Sequence, residues 1–109
     1  MHKSAFLIIA ACTSLSSQSF AAEPSFNCSK ATHEFEKLIC DDDDLAALDN
    51  SLASLYNIVL KNASAAAQKR LKTEQIGWVK GRNDCWKTDD KHACIKGEYE
   101  AMISVLKDR

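Results

Sequence analysis

The stretch Leu45-Ala46-Ala47-Leu48-Asp49-Asn50-Ser51-Leu52-Ala53-Ser54-Leu55-Tyr56-Asn57-Ile58-Val59-Leu60-Lys61 decides the fold. Leu45, Leu48, Leu52, Leu55 and Val59 recur in steps of three and four, the interval that places apolar side chains on one stripe of a helix. The spacing predicts a helix over 45–61. Such a stripe cannot be left in water, so at least one partner helix must cover it. Asn62-Ala63-Ser64 breaks the pattern, and Ser64 is placed to cap a third helix from Ala65 to about Asp84.

On that third helix Leu71, Gln75, Trp78, Arg82 and Cys85 share a face. Upstream, Ala31, Phe35, Leu38 and Ile39 predict a short first helix over 30–39 with Ser29 as its cap. Downstream, Ile95, Tyr99, Met102, Ile103 and Leu106 predict a last helix over 91–107. Glycine occurs three times and proline once, too few turn formers for a sheet-rich fold. The expected architecture is all-α: a small bundle of three to four helices around a central αα-hairpin, the outer helices closing over it. Gly77 and Gly81 lie inside the third helix, at a cost of about 1 kcal/mol each relative to alanine, and are expected to permit a close approach or a slight bend.

The chain opens as an export signal. Met1-His2-Lys3-Ser4 is basic, Ala5 to Cys12 is apolar but too short to span a membrane, and Ser19 and Ala21 suit a peptidase cutting before Ala22. This divides the chain into a leader over 1–21 and a domain over 22–109. Ile9-Ala10-Ala11-Cys12 also resembles a lipobox, so the alternative to a periplasmic or secreted protein is an outer-membrane lipoprotein held through Cys12. Nothing else approaches transmembrane length. Lys3 is the only one of fourteen Lys and Arg before residue 22, and all fifteen acids follow it. The domain therefore carries thirteen bases against fifteen acids, with no basic run that suggests nucleic acid.

Cys28, Cys40, Cys85 and Cys94 remain in the domain, an even number that implies two disulfides in a short exported chain. A zinc site with His33 or His92 is the weaker reading, because no C-x-x-C knuckle is present. Cys85 and Cys94 flank a short loop and can meet. Pairing Cys28 with Cys40 is harder if ten helical residues lie between them, since these span about 15 Å against about 4.4–6.8 Å for bridged Cα atoms. Crossed pairings stay open.

Asp41-Asp42-Asp43-Asp44 is the conspicuous polar run. Its simplest role is an acidic helix start. A calcium loop fails, because Leu52 stands where the bidentate Glu is needed. The remaining role is an electrostatic landing site for a cationic partner. Gln75 and Arg82 are expected to satisfy buried groups or to pair with Asp49 or Glu36 across the bundle. Tyr56, Trp78 and Tyr99 read as core residues with polar tips reaching outward. His33 and His92 read as solvent-facing with no nucleophile nearby, so no catalytic site, metal site or cofactor is expected.

A resemblance now becomes visible. Phe26-Asn27-Cys28-Ser29-Lys30-Ala31, Glu36-Lys37-Leu38-Ile39-Cys40, Leu45-Ala46-Ala47-Leu48-Asp49 and Tyr56 are similar to the LprI-type lysozyme-inhibitor family, and Glu74-Gln75, Trp78, Arg82-Asn83-Asp84-Cys85, Cys94-Ile95, Tyr99 and Ile103 follow its second half in order. The chain departs from it at Asp42 and Asp43, which replace a small-residue and proline turn, and in a longer loop from Cys85 to Cys94. The resemblance implies an exported helical protein that binds and inhibits lysozyme. No inhibitory residue transfers from a fixed motif. If the implied inhibition holds, Asp41 to Asp44 would steer a cationic lysozyme, and Trp86 with Lys87 in the Cys85–Cys94 loop would be the anchor. The alternative is a non-inhibitory periplasmic adaptor or immunity-like module.

Overall fold

A computed structural model of the chain describes residues 23–109. The leader over 1–21 and Cys12 lie outside the described residues. A 3-10 turn at Cys28–Lys30 precedes α1 (Glu34–Asp41), α2 (Asp43–Asn62) and α3 (Ala65–Asn83); a second 3-10 turn at Asp84–Lys87 leads into α4 (Lys91–Lys107). The described residues contain no strand.

Local chemistry sets each boundary. Asp42 is the one residue between α1 and α2, and its Oδ1 accepts from the Leu45 N–H at 3.1 Å. Asp43 and Asp44 then occupy the first turn of α2, where the helix dipole favours acids. Ser64 Oγ accepts from the Ala67 N–H, and the Leu60 carbonyl at the end of α2 accepts both the Ala63 N–H and, at 2.9 Å, Gln68 Nε2 from α3. Asp90 caps α4 through the Ala93 N–H at 3.0 Å.

α2 and α3, joined by Ala63 and Ser64, make the expected αα-hairpin, and α4 fills the groove between them, packing most extensively along α2. Asp42 meets His92 at one end, and Ile58 shares a cleft with Lys107 near the other, so α4 runs parallel to α2. Trp78 bonds to Glu98 and Glu74 to Arg109, which sets α4 antiparallel to α3. The core joins Phe35 and Ile39 of α1, Leu45 and Leu52 of α2, Leu71 of α3 and Ile95, Tyr99, Met102 and Leu106 of α4. Each such aliphatic side chain contributes roughly 1.5–3 kcal/mol on burial.

Two expectations change. The first helix starts at Glu34 with His33 as its cap, not at Lys30 behind Ser29. Cys28–Lys30 forms its own turn, capped by Asn27, and the chain continues through extended backbone at Ala31 before α1. That break removes the 15 Å separation: Cys28 and Cys40 are bridged with Cα atoms 5.8 Å apart, and Cys85 with Cys94 at 5.6 Å. The glycines of α3 do not serve close packing either. A Cβ on Gly77 meets nothing within 4 Å, and one on Gly81 makes ordinary contact with the Glu98 carboxylate at 3.6 Å.

Candidate functional site

The buried polar centre lies where α2, α3 and α4 converge. Asp49 and Arg82 are the two charged residues buried among the described ones. They do not touch directly. Tyr99, fully buried, donates from its hydroxyl to Asp49 Oδ1 at 2.7 Å and accepts from Arg82 Nη1 at 3.1 Å. Asp49 Oδ2 accepts from both the N–H and the hydroxyl of Ser25, at 2.7 and 2.5 Å. Arg82 is completed by Asn83 Oδ1 and by the ring of Trp78, 5.4 Å from its guanidinium carbon. Trp78 meets Tyr99 edge-on at 4.8 Å and donates to the Glu98 carbonyl.

Burial is the main reason the Tyr99 phenol is pushed well above its ordinary value, reinforced by its hydrogen bond to Asp49 and opposed by Arg82. The phenol, the carboxylate and the guanidinium satisfy one another's buried polar atoms and so form a structural network. The expected Arg82–Asp49 pairing therefore exists through an intermediary. Tyr99 turns its tip inward, contrary to expectation, because the two charges at the centre need a neutral group that can both donate and accept.

Glu36 and Gln75 stand apart from this network. Glu36 is half-buried on α1 with no ion pair among the described residues, and Gln75 Oε1 is buried without a hydrogen-bond partner. Ser25 was missed by sequence reasoning. It belongs to an N-terminal strap, with Pro24 buried and the Glu23 carbonyl accepting from Asn50 Nδ2, and no periodic pattern marks such a segment.

The exposed candidates gather at one end of the bundle. His92 Nε2 donates to Asp42 Oδ2 at 3.0 Å, which fastens the start of α4 to the α1–α2 corner. Asp41, Asp43 and Asp44 are exposed at that corner, and Asp84, Asp89 and Asp90 surround the neighbouring 3-10 turn. Trp86 projects from this turn, 57% exposed, directly after Cys85, which is 1% exposed and bridged to Cys94. The indole thus stands on a rooted base. Lys87 lies over its ring at 5.7 Å and pairs with Asp84 at 3.6 Å, and Thr88 closes the turn through the Cys85 carbonyl at 2.8 Å.

Asp42, Asp44 and His92 place one donor atom each within 4.8 Å of one another. Asp42 already accepts from Leu45 and His92, and two helix N-termini meet here, whose dipoles oppose a cation. The arrangement reads as a helix-end latch. It fits poorly as a metal centre.

No described helix is long and apolar enough to cross a membrane. Comparison with curated proteins and with solved structures finds no match. A family described as Lysozyme inhibitor LprI matches residues 28–107, from the first cysteine of the domain to the last residue of α4. The match spans both disulfides, all four helices and the Asp49–Tyr99–Arg82 network. The chain belongs to the LprI lysozyme inhibitor family.

Proposed function

We propose that this chain is an exported protein that binds lysozyme and inhibits it by protein–protein contact. The observation that carries the reading is family membership across 28–107. The basic and apolar start of the chain and the two disulfides support export to an oxidising compartment such as the periplasm. Lysozymes of hosts are strongly cationic, and the five exposed aspartates Asp41, Asp43, Asp44, Asp89 and Asp90 at one end of the bundle, with Asp84 paired to Lys87, supply a field that steers such a partner. Steering alone gives rate rather than lifetime. The anchor is Trp86, a large apolar group on a covalently closed turn, which loses little freedom on docking.

A lysis assay with oxidised protein, lysozyme and bacterial cell walls tests the reading. Inhibition at near-stoichiometric ratio is expected. Trp86→Ala should weaken binding by on the order of thirtyfold, as for an anchor worth about 2 kcal/mol. Undiminished lysis at a large excess of the protein would point instead to the non-inhibitory adaptor.

A further inference from the structure

The net charge of the domain conceals a polarity along its axis. At the end opposite Trp86, Lys61 lies in the last turn of α2, Lys69, Arg70 and Lys72 in the first turns of α3, Lys107 in the last turn of α4, and Arg109 beyond it. Glu74 and Asp108 are the acids among them. Glu74 is taken by Arg109 at 2.6 Å, while Lys61, Lys69, Arg70, Lys72 and Lys107 make no ion pair among the described residues. Two clefts open at this end of the bundle. One, of about 430 Å³, has an apolar wall of Val59, Ala63, Ala67 and Leu71, with Arg70 and Arg109 at its edge. The other, of about 690 Å³, runs between α2 and α4 past Leu55 and Ile103 to Lys107, and the one acid on its wall, Glu100, is taken by Lys96 at 3.8 Å. Ile58 lines both and is 58% exposed.

We propose that this end is a docking surface for anionic phospholipid membranes. An exposed isoleucine between two clefts, with Arg70 and Lys107 unpaired on their walls and further lysines at the same helix ends, matches the two layers of a membrane interface: the apolar group enters the boundary of the acyl region while the cations meet lipid phosphates. A phosphate polymer satisfies the cations but offers nothing to Ile58, so the apolar component favours the lipid surface. The aspartates at the opposite end are repelled by the same surface, which fixes orientation. Docked in this way, the bundle stands on its basic end and turns Trp86 away from the lipid.

Co-sedimentation with vesicles tests this without lysozyme, using residues 22–109, which hold every element of the bundle and both disulfides and omit the apolar leader. A helical circular dichroism spectrum and a cooperative thermal transition verify folding of each variant. Binding to vesicles of phosphatidylcholine mixed with phosphatidylglycerol is expected, with little to phosphatidylcholine alone. Each cation removed should lower partitioning roughly fivefold, so Lys61→Gln with Arg70→Gln should lower it by about twenty-five-fold, and Lys107→Gln is a second site if that pair disturbs folding. Ile58→Ser should also weaken binding, and Asp43→Asn with Asp44→Asn should not. Equal binding to neutral vesicles, undiminished binding of the charge variants, or soluble polyphosphate binding with Ile58→Ser unchanged on vesicles would each overturn the proposal.

Discussion

Tyr99 donates its phenolic proton to Asp49, 50 positions away in the chain, and so bonds α4 to α2 inside the core. The same oxygen accepts from Arg82 of α3. One neutral hydroxyl thereby lets a buried carboxylate and a buried guanidinium coexist without contact. Removing it leaves both short of a partner. Tyr99→Phe should lower unfolding free energy by about 2–3 kcal/mol, because Asp49 Oδ1 and Arg82 Nη1 each lose a buried partner at once. Urea titration of the oxidised protein measures it, and a loss under about 0.5 kcal/mol would refute the network's structural role.

The raised Tyr99 pKa also fixes an alkaline limit. In the unfolded chain this phenol ionises near its ordinary value of 10.0, whereas the folded protein holds the proton more tightly. Its contribution is complete below pH 10 and is lost progressively as pH rises toward the folded value. Stability should therefore fall above about pH 10, and an ultraviolet phenolate signal should accompany alkaline unfolding. Tyr99→Phe should lack that component.

Gln75 and Gly77 offer gains. Gln75 buries an oxygen that bonds to nothing described, so Gln75→Met, similar in volume, should raise stability by about 1 kcal/mol. Gly77 is helical with open space at its missing Cβ, and Gly77→Ala should add about 1 kcal/mol through backbone entropy and helix propensity. Thermal melts decide both.

The two disulfides close loops of similar length, with sequence separations of 12 and 9. Loop entropy alone gives each about 3 kcal/mol. Cys85 is buried and Cys28 exposed. Replacing Cys85 and Cys94 with serine should consequently cost more than replacing Cys28 and Cys40, since a hydroxyl enters the core as well. Peptide mapping under non-reducing conditions checks the pairing.

Much of this was legible from periodicity. The bounds of α4, Lys91–Lys107, follow from Ile95, Tyr99, Met102 and Leu106, and the turn at Ala63–Ser64 from the loss of spacing there. Arg82 stands out as a polar residue on an apolar stripe, with Asp49 among its expected partners. What the sequence did not reveal depends on tertiary placement. The strap through Ser25 has no period of its own, and the inward tip of Tyr99 is set by partners on two other helices. A pairing of Cys28 with Cys40 seemed remote only while α1 was extended back to Lys30. The charge polarity is likewise invisible along the chain, because the basic end is assembled from three separate helix termini.

Both covalent crosslinks sit at the Trp86 end: one ties the start of the domain to the end of α1, the other ties the last 3-10 turn to the start of α4. The opposite end carries no crosslink among the described residues and is held by packing, by hydrogen bonds at the α2–α3 turn such as Gln68 to Leu60, and by the Arg109–Glu74 pair. Under oxidising conditions the molecule therefore opens like a zip with one end sewn shut. Amide exchange should be fastest around Ala63 and Lys107 and slow toward Cys94, and a thiol reductant should erase that gradient by freeing the sewn end to breathe.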